Sequence, residues 1–399
     1  MTMLICMVCP LLLSAMSNQQ SDWLSSAEHL CEQGRHQTAI AYTDSLLKTI
    51  DDLTAEEQAR FYLIRGTALR YNGQKIPAIQ AWQNTIAIAN KDLPKANAHY
   101  QLGELYFEEK SFSQALKHYQ SALRIFADEG QSKDANKTRY KAGIVQRKLE
   151  NYSSAISLFE GVIQSDDVDL MRNALCHDQL GQIFFDQADF EKSLEHFEAS
   201  NLQYRAFDFS SSLVENLRMM ALIHKMENRH AAAIECLTEA VEVSQKSGDV
   251  RGSVKSLLEL AQEHRANNDL LNAIRTHKKA MKITPKEEVR SVAEEWLNLA
   301  TMLGETDQDM EAELTFYTAY SYAQDNDLKD LMEETSRLQS AWFEKQGNTD
   351  KAFRALKKAD SLSMLNSYAT ISKLKREVNE KKLNSETYLR HAEDARTQM

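Results

Sequence analysis

The chain is poor in everything that breaks a helix. It has four prolines in 399 residues, at positions 10, 77, 94 and 285, and only twelve glycines. That excludes collagen-like and glycine-rich linker classes and leaves long helical stretches uninterrupted. Five cysteines, at 6, 9, 31, 176 and 236, are too few for a disulfide scaffold. There is no HExxH, no paired CxxC, no Walker loop and no dinucleotide fingerprint, so no zinc, nucleotide or other cofactor site has support from a motif. Basic residues number 47 against 58 acidic ones, a net charge of −11 spread along the chain. Such a balance argues against nucleic-acid partners, which require a basic face to displace phosphate counterions. The one long apolar run, Leu4 to Met16, is shorter than the roughly 20 residues that span a bilayer.

That run, within "MTMLICMVCPLLLSAMSNQQ", turns abruptly polar and suits a secretory signal over residues 1–17, with Ala15-Met16-Ser17 as the cleavage region. Its first three residues carry no Lys or Arg, so an apolar first helix in a cytoplasmic protein is the alternative. Export to the periplasm or cell envelope is the expectation. It would leave Cys31, Cys176 and Cys236, each on an expected helix and read as a free, buried thiol.

What the chain has in plenty is Leu, Ala, Glu, Lys and Gln, the residues of an all-α protein. They are arranged in a repeat. "LGELY" at 102–106 has counterparts at 26, 65, 142, 180, 220, 260, 299 and 339. Thirteen residues after the start of each comes a second motif, such as "ALKHYQSA" at 115–122 or "AISLFEGV" at 155–162. The internal distance is 13 in all nine cases, whereas successive units lie 37 to 40 residues apart. A fixed internal spacing with slack between units identifies a helical hairpin as the rigid object. Nine hairpins in series predict an α-solenoid over residues 20–360.

The repeat also explains why Gly103 sits inside a helix, where it costs about 0.5–1 kcal/mol relative to Ala. Gly66, Gly103, Gly143 and Gly181 hold one place, and Ala27, Ala221, Ala261, Ala300 and Ser340 hold it elsewhere. A small residue there lets the second helix approach closely, near Ala39, Ala78, Ala115, Ala155 and their equivalents. Large side chains such as Tyr106, Phe184, Trp82, Tyr119, Phe159, Phe197 and Phe316 are expected to fill the space beside that contact. Gly34, Gly73 and Gly347 are expected in turns within hairpins, Gly130 and Gly248 in turns between them.

"HYQLGELYFEEKSFSQALKHYQSAL" resembles the tetratricopeptide repeat family: an early aromatic, Leu-Gly, an aromatic, then Ala, an aromatic and Ala. The unit length near 39 exceeds that family's usual 34, which implies longer helices. The resemblance implies a non-catalytic scaffold whose first helices line a concave groove that receives a protein or peptide. The places facing inward include Arg70, Tyr100, Phe107, Lys137, Tyr140, Arg147, Phe185 and Arg218. Aromatic and basic side chains interleave there, which suits a peptide with apolar anchors and a carboxylate; the same residues also fit a solvated groove. The family's carboxylate clamp is not reproduced, because Leu63 and Thr67 do not supply its other half.

"CHDQ" at 176–179 invites a catalytic reading, but adjacent residues on a helix point apart, and a packing role fits His177 better. His224, His264 and His277 fall in aromatic places of neighbouring repeats and fit ordinary hydrogen-bonded histidines better than a metal cluster. Residues 361–399 leave the repeat and form an expected charged helical extension, either a cap or a short coiled coil. The whole layout also resembles sensory regions of bacterial membrane signalling proteins. That resemblance implies, as the alternative to a scaffold, a sensor ectodomain associated with a membrane signalling partner.

Overall fold

The computed structural model describes residues 23–364 except 51 and 307, together with residue 367. The apolar run at the start and nearly all of the C-terminal extension lie outside them. Every regular element among the described residues is helical. After α1 (23–32) come α2 (His36–Thr49), α3 (Ala55–Tyr71), α4 (Lys75–Ile88), α5 (Asp92–Glu108), α6 (Phe112–Asp128), α7 (Ser132–Lys148), α8 (Tyr152–Ile163), α9 (Leu170–Asp186) and α10 (Phe190–Ala206). These five hairpins make up one compact unit that ends at Asp208. A second unit starts at Phe209 and holds α11 (Ser210–Met226), α12 (His230–Ser247), α13 (Val250–Ala266), α14 (Leu270–Ile283), α15 (Val289–Leu303), α16 (Asp309–Asp325), α17 (Lys329–Lys345) and α18 (349–364). The division falls between the fifth and sixth repeats. Within each unit, consecutive helices pack as the hairpins of an α-solenoid. Most first helices run 17 residues, the length that the long repeat implied.

Each hairpin is fixed by two local devices. The first is the small residue of the first helix. A β-carbon placed on Gly66, Gly103, Gly143 or Gly181 would lie 2.5–2.8 Å from the ring of Trp82, Tyr119, Phe159 or Phe197, each sixteen residues further on. The aromatic ring therefore sits on the glycine itself, rather than beside a helix–helix contact as the sequence suggested. Tyr106 and Phe184, grouped with these rings from the sequence, do something else: each stacks on a histidine, His118 and His196 respectively. Trp82, Tyr119, Phe159 and Phe197 are completely buried. Where the small residue is Ala or Ser, the residue sixteen on is Thr43, Leu237, His277, Phe316 or Leu356. Apart from Phe316 these are smaller than the rings, so the volume lost on one helix is returned on the other.

The second device is the turn. Seven residues after the small position, the backbone enters the left-handed region at Gly34, Gly73, Lys110, Glu150, Ala188, Asn228, Asn268 and Gly347. The three glycines were legible in the sequence. At the other five places a side-chain-bearing residue holds φ between 58° and 60°, which costs roughly 1–2 kcal/mol for most residues and less for Asn. The turn is imposed by helix packing on both sides, not by its own residue. Between repeats Gly130 and Gly248 turn in the same region, as expected, and so do Asp208 and Asp327.

Helix starts follow capping chemistry. Thr54 and Glu57 form a reciprocal capping box at the start of α3, and Asp169, Asp189, Asp249 and Asp269 each accept a backbone N–H at the start of α9, α10, α13 and α14.

Candidate functional site

The first-helix face of unit 1 is built from stripes at helical spacing. On α5 the stripe carries Asn97, Tyr100, Glu104 and Phe107; on α7, Lys137, Tyr140, Ile144 and Arg147; on α9, Asp178, Gln182 and Phe185. Seven of the eight residues singled out from the sequence lie in this unit. Arg218 lies in the other.

Their environments differ. Arg70 on α3 is engaged: Nη1 donates to Gln101 Oε1 at 3.0 Å, and Nη2 meets the carboxylate of Glu108. Arg218 is engaged as well, donating from Nε to Glu259 Oε2 at 2.8 Å and from Nη1 to Glu215 Oε2 at 2.6 Å. These carboxylates raise its pKa against the opposing effect of burial. Tyr100 is 7% exposed and belongs to the core of the third repeat, 5.8 Å from the Tyr119 ring. Burial first, and the charge of Glu104 second, push the Tyr100 hydroxyl upward. Phe107 and Phe185 are half-buried and each packs on the phenylalanine that opens the next helix, Phe112 and Phe190. Tyr140, half-buried, tilts against Phe159.

Glu104 joins neighbouring repeats. It accepts the Tyr119 hydroxyl at 2.5 Å and the Lys141 ammonium at 3.1 Å. A half-buried carboxylate with these donors holds α5, α6 and α7 together.

The two cations of α7 stand apart. Lys137 is exposed; its ammonium lies 4.5 Å above the ring centre of Tyr100, and it makes no ion pair with any described residue. Arg147 donates from Nη1 to the neutral Gln182 at 2.7 Å, while its Nε–H is buried with no acceptor among the described residues. An orphaned buried N–H is costly and calls for an acceptor. With Tyr140 and Ile144 between them, α7 presents an apolar strip bounded by two cations that form no ion pair with a carboxylate among the described residues. No single feature of the sequence distinguishes these two from Arg70 and Arg218. Only the packing shows which cations are already spent.

The other candidates resolve into structure. In "CHDQ", Cys176 is wholly buried and its thiol is pushed up to about 12 by burial. His177 faces His196, and Asp178 accepts from the amide of Gln182. His277 hydrogen-bonds the carbonyl of Glu295 at 2.9 Å, and His264 lies 3.5 Å from Asp269. Among the described residues no three His, Cys, Asp or Glu side chains converge as a metal site would require. None of the described helices is long and apolar enough to cross a membrane.

Comparison with known proteins agrees with this architecture. The family model of the soluble NSF attachment protein, SNAP, matches residues 51–188, all within unit 1. The crystal structure of the apo form of RapI is similar in fold, with a TM-score of 0.58 at 12% identity over 88% of this chain and 99% of that one. The C-terminal part of a tetratricopeptide repeat-containing protein from Cytophaga hutchinsonii gives a TM-score of 0.54 at 15% identity, over 66% of this chain and 95% of that one. No curated protein matches the sequence. The chain is an α-solenoid of tetratricopeptide-like repeats.

Proposed function

We propose that this protein is a non-catalytic interaction scaffold that seats a peptide segment of a partner protein against the first helices of unit 1. The observation that carries the proposal is the α7 strip. In a chain of net charge −11, it is bounded by Lys137 and Arg147, neither of which has a carboxylate partner among the described residues. An acidic side chain or terminal carboxylate meets both needs, and Tyr140 and Ile144 supply the apolar seat between them. Arg70 and Arg218 take no direct part, because binding there would first have to displace Glu108 or Glu259. The family model that matches residues 51–188 is named for an attachment protein, and this supports the coarse reading.

The test is selection from a displayed peptide library, followed by affinity measurement with the winning peptide. Selected peptides should pair acidic and apolar residues. The double substitution Lys137→Glu with Arg147→Glu should weaken binding at least tenfold while helicity is retained. Full affinity in that folded variant contradicts the proposal.

The cell envelope is the proposed location, on the strength of the apolar run Leu4–Met16 alone. Sequencing the amino terminus of protein purified from its host tests this. A mature end near Ser17 supports export, and an intact Met1 overturns it.

A further inference from the structure

Unit 2 has a cavity that the proposed scaffold role does not use. Helix α14 ends at Ile283, after 14 residues, whereas α12 has 18 and α16 has 17. The cause is Pro285, which drives the preceding Thr284 into the extended region (ψ 127°) and stops the helix. The missing turn leaves a notch of about 770 Å³ over α15, between α14 and α16. That lies within the roughly 300–1,000 Å³ usual for small-molecule sites.

The notch is apolar below and cationic at its rim. Trp296 and Val292 of α15, Met281 of α14 and Tyr322 of α16 line it, all half-buried. The half-open ring of Trp296 gives the site a flat aromatic surface on which a planar apolar body can lie. Three lysines, 278, 282 and 286, stand at one edge. Lys278 is neutralised by Glu311 at 2.5 Å. Lys282 and Lys286 are exposed and make no ion pair with any described residue. Glu295 reaches the floor, but its carboxylate is occupied by the hydroxyls of Thr284 at 3.1 Å and Ser291 at 3.3 Å. The lining thus carries three ammonium groups against two carboxylates, and the exposed Lys282 and Lys286 place the positive surplus at the mouth.

We propose that this notch binds a small amphipathic organic anion, an aromatic or alkyl carboxylate whose apolar body covers Trp296 and whose head group meets Lys282 and Lys286. The proposal stands apart from the peptide seat on α7, which belongs to the other unit.

Calorimetric titration of the full chain with naphthalene-2-carboxylate, and with the uncharged 2-naphthamide, tests it. One equivalent of carboxylate should bind. Lys282→Glu with Lys286→Glu should weaken the carboxylate at least tenfold and change the amide less than twofold. Thr318→Trp, which fills the notch, should abolish both. Three outcomes overturn the proposal: no binding by the native chain, equal loss of acid and amide in the lysine variant, or the same loss when the remote Lys255 is reversed instead. Helicity measured on every variant separates loss of the site from loss of the fold.

Discussion

The backbone of Gly143 lies so close to the edge of Phe159 that a β-carbon on it would sit 2.6 Å from Cε1 of that ring. The same contact recurs in four consecutive hairpins, which makes it the rule by which a first helix meets its second. Gly143→Ala should therefore cost about 1–3 kcal/mol by overpacking, despite the better helix propensity of alanine. Phe159→Leu alone should also destabilise, by opening a cavity. Combined, the two recreate the natural pair Ala221–Leu237, and the double variant should be more stable than the sum of the single losses allows. Additive losses in a double-mutant cycle of thermal melts would refute direct contact.

The left-handed turns give a prediction of opposite sign. Ala188 holds φ at 58° where Gly34, Gly73 and Gly347 hold the same place. Ala188→Gly should stabilise by about 0.5–1 kcal/mol, since the relief of the side-chain clash exceeds the entropy that glycine brings. Asn228→Gly should gain less, because Asn tolerates this conformation. Chemical denaturation of the two variants checks the order.

These two devices mark what could be read in advance. The hairpins, their number and the packing role of the glycines followed from a 13-residue spacing that never varied. The residue sixteen positions on was visible as an aromatic, but its seat on the glycine was not, because one-dimensional spacing does not say which helix face meets which. Five of the turns were hidden for a related reason: tertiary packing forces Lys110, Glu150 and Ala188, and more comfortably Asn228 and Asn268, into a shape that local preference would not choose. At the candidate site, helical periodicity grouped Lys137, Tyr140 and Arg147 along one stripe of α7. It could not tell the spent cations Arg70 and Arg218 from Lys137 and Arg147, since partners such as Glu108 and Glu259 lie 38 and 41 residues away.

Two matching histidine clusters make stability depend on pH. His99 and His118 face each other with Nδ1 atoms 2.9 Å apart, as do His177 and His196. Tyr106 stacks on His118 and Phe184 on His196. Burial, then the neighbouring histidine, lowers both His118 and His177 to about 4; Lys117 adds to the shift at His118, and Glu195 opposes it at His177. Burial also lowers His99, assisted by Arg124 and Lys117, and His196, where Glu195 and Glu160 oppose the shift and Lys192 adds to it. The unfolded chain thus takes up protons near 6.5 while the folded chain resists them. Stability is full above about 6.5 and is lost as pH falls towards 4, by roughly 2 kcal/mol per cluster once partial exposure is allowed for. His118→Gln with His196→Gln should flatten that decline between pH 6.5 and 4.5, as followed by melting temperature. An unchanged decline would assign acid sensitivity to other groups.

The central claim is that a peptide lies along α7. The most direct measurement places a photo-crosslinking amino acid at Tyr140, between Lys137 and Arg147, and irradiates the complex with the peptide selected from the displayed library. A second chain carries the same group at Ile76, an exposed position on the second helix α4. The account predicts a one-to-one adduct at 140 and none at 76. Equal labelling at both positions, or labelling at 76 alone, would contradict it.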